Sequence, residues 1–469
     1  MTLLSLSTVD WAILFIYLLF LAYMALKSGR EGDSSAESYI LAGRRLTLPS
    51  FIATTVATWY GGILGVGEYS YKHGLSTWFV FGVPYYLAVF LFAMLIAKRA
   101  RESRMMTIPD QLLHSYDSKT AIGGALIVFI KTVPAAYILM LGVLLQLLFG
   151  WQLWFGVIVA VVISSGYVLI GGFRTVVKTD KLQFSLMYGS FIVILAILFA
   201  RYGGLSFLRE SVPATHFVWH GSKTAGYVIS WYFIALSTLV EPAFYQRCFA
   251  AQTPQIAKRG LLISILFWFS FDFMTTTTGM FSRAILGDGI RAVNAFPLLA
   301  DHILPPGLKG LFLVGLITTI QSTIDSYSFL AASTLGRDVL WRVKWIKRRI
   351  GQVGLSRWGL LVSGIVAVAI ALSTDSVVDI WRTLGSIGTP ALLLPLALSY
   401  SERFRPRSNW AFANMIIVPI VVGGWFLIQG RLDPVPFPFS IEPIYIGLGL
   451  SFALMIVDHL LSLRLKPIE

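Results

Sequence analysis

The sequence predicts an all-α polytopic membrane protein with about 13 transmembrane helices, and three observations carry that prediction. Of the 469 residues, 56% are apolar and only 13% are charged, with a mean hydropathy of +0.75. So few charges cannot cover the surface of a water-soluble fold of this length. Windows of about 20 apolar residues recur along the whole chain, the length a bilayer-crossing helix needs. The basic residues gather in alternate connections between those windows, which is an orientation signal. The net charge of +14 is therefore read as a positive-inside pattern, and nucleic acid is not expected as a partner. The single cysteine, Cys248, excludes an internal disulfide and a cysteine metal cluster.

The first window, centred near residue 17, has no basic segment before it and no small-residue cleavage site after it. It reads as a retained span rather than a signal peptide. The others centre near residues 60, 87, 134, 162, 191, 237, 270, 322, 365, 388, 419 and 453. Connections after the odd-numbered spans carry the charge: Arg44 and Arg45, then Lys98 to Arg104, then Arg174, Lys178 and Lys181. Arg247, Lys258 and Arg259 follow the seventh span, Arg337 to Arg357 the ninth, and Arg403 to Arg407 the eleventh. This alternation puts the N-terminus outside and the C-terminus, with Arg464 and Lys466, in the cytoplasm. The basic run from Arg337 to Arg349, with Trp341 and Trp345 among it, reads as a solvated cytoplasmic loop, with an amphipathic segment on anionic lipid as the alternative.

The second span lies in Thr54–Gly74, where Gly61, Gly62, Gly65, Gly67 and Glu68 interrupt an apolar run. Glycine is a poor helix former and a carboxylate is costly in hydrocarbon. Broken backbone at membrane depth is tolerated only in protein or beside a cavity. Two readings follow, an ion and solute site at an unwound segment or a glycine-rich packing face. The seventh span carries Glu241 followed by Pro242, which also interrupts a helix. An odd span count leaves room for two inverted repeats of five spans, 46–205 and 224–402, preceded by a first helix and loop at 1–45 and followed by two helices at 403–469. Repeats whose first helices are discontinuous bind ions and solutes near the membrane midplane. The long connection 286–309 predicts a short helix near Leu298–Asp301 that lies over the outer face as a gate.

The ninth span holds a polar cluster that includes Thr318, Thr319, Gln321, Ser322, Thr323, Asp325 and Ser326. Adjacent hydroxyls on one helix, with carbonyls freed by a neighbouring broken helix, suit a small monovalent cation. Membrane Ser and Thr also bond back to their own helix, so the hydroxyls by themselves leave both readings open. Asp180, at the cytoplasmic mouth of the sixth span, is either solvated, part of an inner gate with Lys178 or Lys181, or part of a second cation site with Asp325 and Ser326.

Five segments together resemble the sodium/solute symporters, a family that includes carriers of proline, pantothenate, sialic acid and galactose. They are YILAGRRL (39–46), ATWYGGILGVGEYSYKHG (57–74), GGFRTVVKTDKLQ (171–183), EPAFYQRCFAAQTPQIAKRG (241–260) and LPPGLKGLFLVGLITTIQSTIDS (304–326). The resemblance implies a LeuT-like inverted 5+5 helix repeat and symport of a small organic solute with Na+ by alternating access, in the cell membrane, as in a bacterial inner membrane. By position in the motifs it implies a sodium site from the backbone carbonyls of Thr55, Thr58 and Thr319 and the hydroxyls of Ser322 and Thr323. A second sodium site, found in some members, would map to Asp180, Asp325 and Ser326. The solute would lie near Trp59, Tyr60, Gly61 and Gly62, against Lys131, Glu241, Tyr245 and Ser386.

Lys131 is an intramembrane cation suited to a solute carboxylate, or to neutralising Glu68 or Glu241. Asp272 and Asp379 add acids whose facing the spacing does not give, which leaves a cationic or zwitterionic solute open. The Asn- and Gln-rich set of sugar-binding members is not evident, so an amino-acid-like or carboxylate solute is favoured. There is no GxxxxGK[ST] phosphate loop, which speaks against an ATP-driven pump, and no catalytic constellation of an enzyme. The alternatives are a proton-coupled transporter of the same fold, through Asp325, Glu68 or Glu241, and a non-transporting membrane sensor or channel.

Overall fold

The computed structural model describes residues 3–30, 36–374, 376–431 and 441–464. Lys466, counted above among the cytoplasmic charges, lies outside the described residues. Among these residues the fold is all helix, with one isolated bridge between Leu46 and Ala251. The principal helices are α1 (Thr8–Arg30), α2 (Leu48–Trp59), α3 (Ile63–His73), α4 (Val83–Leu95), α5 (Ser118–Thr132), α6 (Ala135–Phe149), α7 (Leu153–Tyr202) and α8 (Ala225–Ile234). They continue with α9 (Pro242–Ala250), α10 (Pro254–Leu286), α11 (Ala295–Ile303), α12 (Leu308–Ser333), α13 (Gln352–Ala371), α14 (Val377–Leu398), α15 (Ser408–Arg431) and α16 (Pro443–Arg464).

By length and composition, eight helices among the described residues are long and apolar enough to cross a membrane. The remaining expected spans are short apolar helices, Thr8–Met24 and Leu153–Ser164, or helices that are broken or polar, such as Leu48–His73 and Leu308–Ser333. Their outer faces are apolar: Leu19 is 68% exposed and Leu427 72%. Such residues face hydrocarbon in a membrane protein and would be a liability in water.

Each interruption has a local cause. At 50 residues α7 would run about 75 Å if straight, far more than a bilayer needs. It turns at Gly172, whose φ of 61° only glycine takes easily, and a Cβ there would meet the Tyr39 carbonyl at 2.8 Å. Between α2 and α3 the chain makes a single 3-10 turn, Tyr60–Gly62. Between α8 and α9 it runs through a 3-10 stretch, Ala235–Val240, to an extended Glu241, because Pro242 cannot continue the preceding ladder.

The glycines of the second span divide between its two readings. Gly61 and Gly62 form the break, while Gly65 and Gly67 are packing contacts whose Cβ positions lie 3.0 Å from Trp381 and 2.8 Å from Phe296. Glu68 forms an ordinary i,i+4 ion pair with Lys72 at 2.6 Å.

The expected short helix in 286–309 is α11. Its last turn holds Asp301, which accepts from the Lys309 ammonium and the Ser5 hydroxyl, both at 2.7 Å. Burial works the other way, yet the Lys309 and Ser5 donors hold Asp301 below the usual carboxylate range. Several basic loop residues are structural. Arg44 donates to the carbonyls of Arg104 at 2.7 Å and Phe249 at 3.1 Å, joining two connections to the end of α9. Arg337 pairs with Asp110 at 2.9 Å, so the basic run after α12 starts tied down, while Trp345 further on is 62% exposed.

Candidate functional site

Two sets of polar groups meet at the α2–α3 break. The first lies between the break and α12, where a Cβ on Gly61 would run into the Thr323 side chain, so glycine is needed for this approach. The Thr323 hydroxyl donates to the Thr58 carbonyl at 2.6 Å. Ser322, its neighbour, donates to Asp180 at 2.6 Å. The carbonyls of Thr55 and Thr319 stand one helical turn before Thr58 and Ser322, on the same faces. These residues are 0–2% exposed. The arrangement offers neutral oxygens from two helices with one carboxylate just behind them, a donor set suited to Na+.

Behind that set lies Arg247, which the sequence places among cytoplasmic loop charges. It is 0% exposed instead. Its guanidinium donates to the hydroxyls of Thr54 at 3.0 Å, Thr58 at 2.5 Å and Ser326 at 2.9 Å, and lies 3.7 Å from Asp180. The Phe173 ring sits 5.4 Å from the guanidinium carbon. The Thr54 hydroxyl also donates to Asp180. Asp180 is thus not solvated, and its ion-pair partner among the described residues is the buried Arg247 rather than Lys178 or Lys181 of a gate. Of the residues mapped to a second sodium site, Asp180 and Ser326 share Arg247, while Asp325 accepts from Gln321 on its own helix at 2.8 Å.

The second set surrounds a cavity of about 150 Å³ on the other side of the break. Trp59, Tyr60 and Gly62 line it, as do Lys131 of α5 and Glu241 at the start of α9. Glu241 accepts from the Tyr327 hydroxyl at 2.9 Å and caps α9 through the Ala243 N–H at 3.3 Å. Gly388 makes room for the stem of Lys131, since a Cβ there would lie 2.7 Å from it. Three of the expected solute residues depart from the wall. Gly61 is turned to Thr323 rather than to the cavity. Tyr245 is fully buried against Phe92 and Phe249 and donates to the Leu239 carbonyl at 3.2 Å. Ser386 is buried one position past the wall residue Gly385, about 100° around the helix.

The cavity also contains residues that the spacing did not assign. Asp272 and Trp268, one turn apart on α10, both line it. Asp272 accepts from the hydroxyls of Tyr60 and Tyr86, and the Trp78 indole N–H donates to Tyr86 at 3.1 Å. The pair Trp268–Asp272 is a legible i,i+4 signal, but only once α10 is known to face the break.

Comparisons with known proteins bear on the family and the fold. The chain is 25% identical to the osmoregulated proline transporter OpuE of Bacillus subtilis, over 89% of this chain and 88% of that protein. It is 25% identical to the sodium/pantothenate symporter of Haemophilus influenzae, covering 71% and 72%. It is 26% identical to the high-affinity choline transporter 1 of Drosophila melanogaster, covering 92% and 73%. Its fold superposes on that of a Na+-coupled sialic acid symporter in a substrate-bound outward-open state with a TM-score of 0.78, at 17% identity, over 98% of both chains. The fold is therefore the LeuT-like one expected. The model of the sodium:solute symporter family matches residues 39–417, and the chain belongs to that family.

Proposed function

We propose that this protein is a secondary active transporter that carries a small organic solute into the cell with sodium by alternating access. It crosses the cell membrane, a bacterial inner membrane, about thirteen times, with its N-terminus outside and its C-terminus in the cytoplasm. The 5+5 inverted repeat, 46–205 and 224–402, supplies both sites. Sodium binds to the carbonyls of Thr55, Thr58 and Thr319 and the hydroxyls of Ser322 and Thr323. The solute, amino-acid-like or a carboxylate, binds in the cavity beside Trp59, Tyr60, Lys131 and Glu241. One observation carries the reading: the Thr323 hydroxyl meets the Thr58 carbonyl at the helix break, next to Ser322, on the wall opposite the cavity. Arg247 already supplies positive charge to Asp180 and Ser326, so the proposal puts sodium at the first set.

The chemistry is all binding. Sodium exchanges its water shell for neutral oxygens, and the break lets one short turn of backbone serve both ligands. Purified protein tests this directly. Sodium, compared with potassium at equal ionic strength, is expected to raise the melting temperature in a saturable way. Ser322→Ala with Thr323→Ala removes two ligands at about 1 kcal/mol each and is expected to weaken sodium roughly thirtyfold. Unchanged half-saturation in that double variant would rule out the assigned sodium set.

A further inference from the structure

The cavity does not balance its own charge. Lys131 supplies the one positive side chain on the described wall, while Glu241 and Asp272 supply two negative ones. Lys131 and Glu241 attract each other across the cavity, but no hydrogen bond or ion pair holds the Lys131 ammonium among the described residues. Asp272 has no basic side chain within ion-pair distance among the described residues either, and its only close polar partners there are the phenols of Tyr60 and Tyr86. The two phenols give the carboxylate hydrogen bonds but no counter-charge. A carboxylate 6% exposed without a cation costs several kcal/mol unless something arrives to pair with it.

What surrounds Asp272 says what that partner is. Trp59 and Trp268 stand with ring centroids 6.0 Å apart, and both line the cavity beside the carboxylate. The Phe244 ring backs both indoles, at 4.9 and 5.8 Å, so their faces are fixed. Tyr85 closes the group at 5.5 Å from Trp59. Aromatic faces around a carboxylate attract an organic ammonium, whose charge is spread over carbon, and offer little to a bare metal ion. Trp78 orients Tyr86 from outside, which points the phenol O–H at Asp272 and keeps the carboxylate aimed. This is a built subsite for a positive group, separate from the position that Lys131 offers to a negative one.

We propose that the solute is a zwitterion, bound with its ammonium against Asp272 beside the indoles of Trp59 and Trp268 and its carboxylate at Lys131. The assignment rests on the solute-carrier reading above and names its substrate class. With such a solute in place Asp272 gains the cation it lacks and Lys131 gains the solute carboxylate, while Glu241 keeps the Tyr327 hydroxyl.

Thermal unfolding of the purified protein in sodium buffer tests it with a panel of the twenty protein amino acids, glycine betaine and choline. The same panel includes 3,3-dimethylbutyrate, the carbon isostere of glycine betaine that keeps the carboxylate and lacks the positive charge. Zwitterions from the panel are expected to raise the melting temperature, and the isostere and simple monocarboxylates are not. Asp272→Asn is expected to weaken the active zwitterion at least about thirtyfold while retaining a saturable shift with sodium alone. That sodium shift also shows that the variant is folded. Tyr86→Phe, which keeps the charge and removes one donor, is expected to weaken it less. The proposal is overturned if no zwitterion in the panel binds, if monocarboxylates or choline bind as well as zwitterions, or if Asp272→Asn retains full affinity. Zwitterion binding with no response to sodium would instead overturn the sodium assignment and leave this one standing.

Discussion

Asp180 and Asp272 both lie in the protein interior, 0% and 6% exposed, yet only Asp180 has a cation beside it. Asp180 is held by the guanidinium of Arg247 and by the hydroxyls of Thr54 and Ser322, all from this chain. Asp272 has two phenols and an open cavity. The difference separates two kinds of site on the two sides of one helix break. On the α12 side, charge is settled internally beside the neutral oxygens proposed for sodium. On the cavity side, among the described residues, Asp272 is left without a cation where the solute is proposed to bind.

The largest expected effect would break the first half of that contrast. Arg247→Met leaves Asp180 buried and unpaired, which is expected to cost about 3–5 kcal/mol of stability. Adding Asp180→Asn should recover much of the loss, because a neutral pair no longer needs a counter-charge. Denaturant or thermal unfolding of the two single variants and the double measures this, and additive losses would mean that the two side chains are not a pair. A smaller effect of opposite sign sharpens the second half. In solute-free buffer Asp272→Asn is expected to stabilise the protein by something on the order of 1 kcal/mol, since it removes an uncompensated charge. A loss as large as that of Asp180→Asn would show that Asp272 is paired like its counterpart. The smallest effect belongs to a more exposed acid, Asp301, paired with Lys309. Its carboxyl is held below the usual range, so its contribution is present above the unfolded value of about 4 and is lost as pH falls through the lower folded value. Asp301→Asn is therefore expected to cost less than about 1 kcal/mol near neutral pH and nothing in strong acid. A cost that grew on acidification would contradict that sign.

The interruptions were legible because their causes are local. Glycine at Gly61 and Gly62, and Pro242 after Glu241, disturb helix hydrogen bonding wherever they occur, so the breaks could be read without knowing what packs on them. Glu241 and Lys131 were legible as costly intramembrane charges, and both reach the cavity. Arg247 was not. A basic residue after an apolar span has the pattern of a cytoplasmic anchor, and only the packing of α9 against α2 and α12 turns it inward. Tyr245 stands four residues after Glu241, a spacing that shares a face within one helix, but Glu241 is the extended residue before α9 begins and sets no helical phase. Asp272 was visible as an acid in a span, yet its direction depends on the rotation of α10 against the break, which no local pattern encodes.

The single turn Tyr60–Gly62 has a further consequence. One glycine of that turn lies against Thr323, and the next lies against Trp381 on the cavity wall. If sodium and solute bind as proposed, both act on the same few backbone torsions, and each favours or opposes the other by setting them. Thermodynamic linkage then fixes an equality: whatever factor sodium contributes to solute affinity, the solute must return to sodium affinity, with a tenfold factor equal to about 1.4 kcal/mol. A stiffer or longer turn would divide that shared element in two, leaving a protein that binds both partners and ties neither to the other.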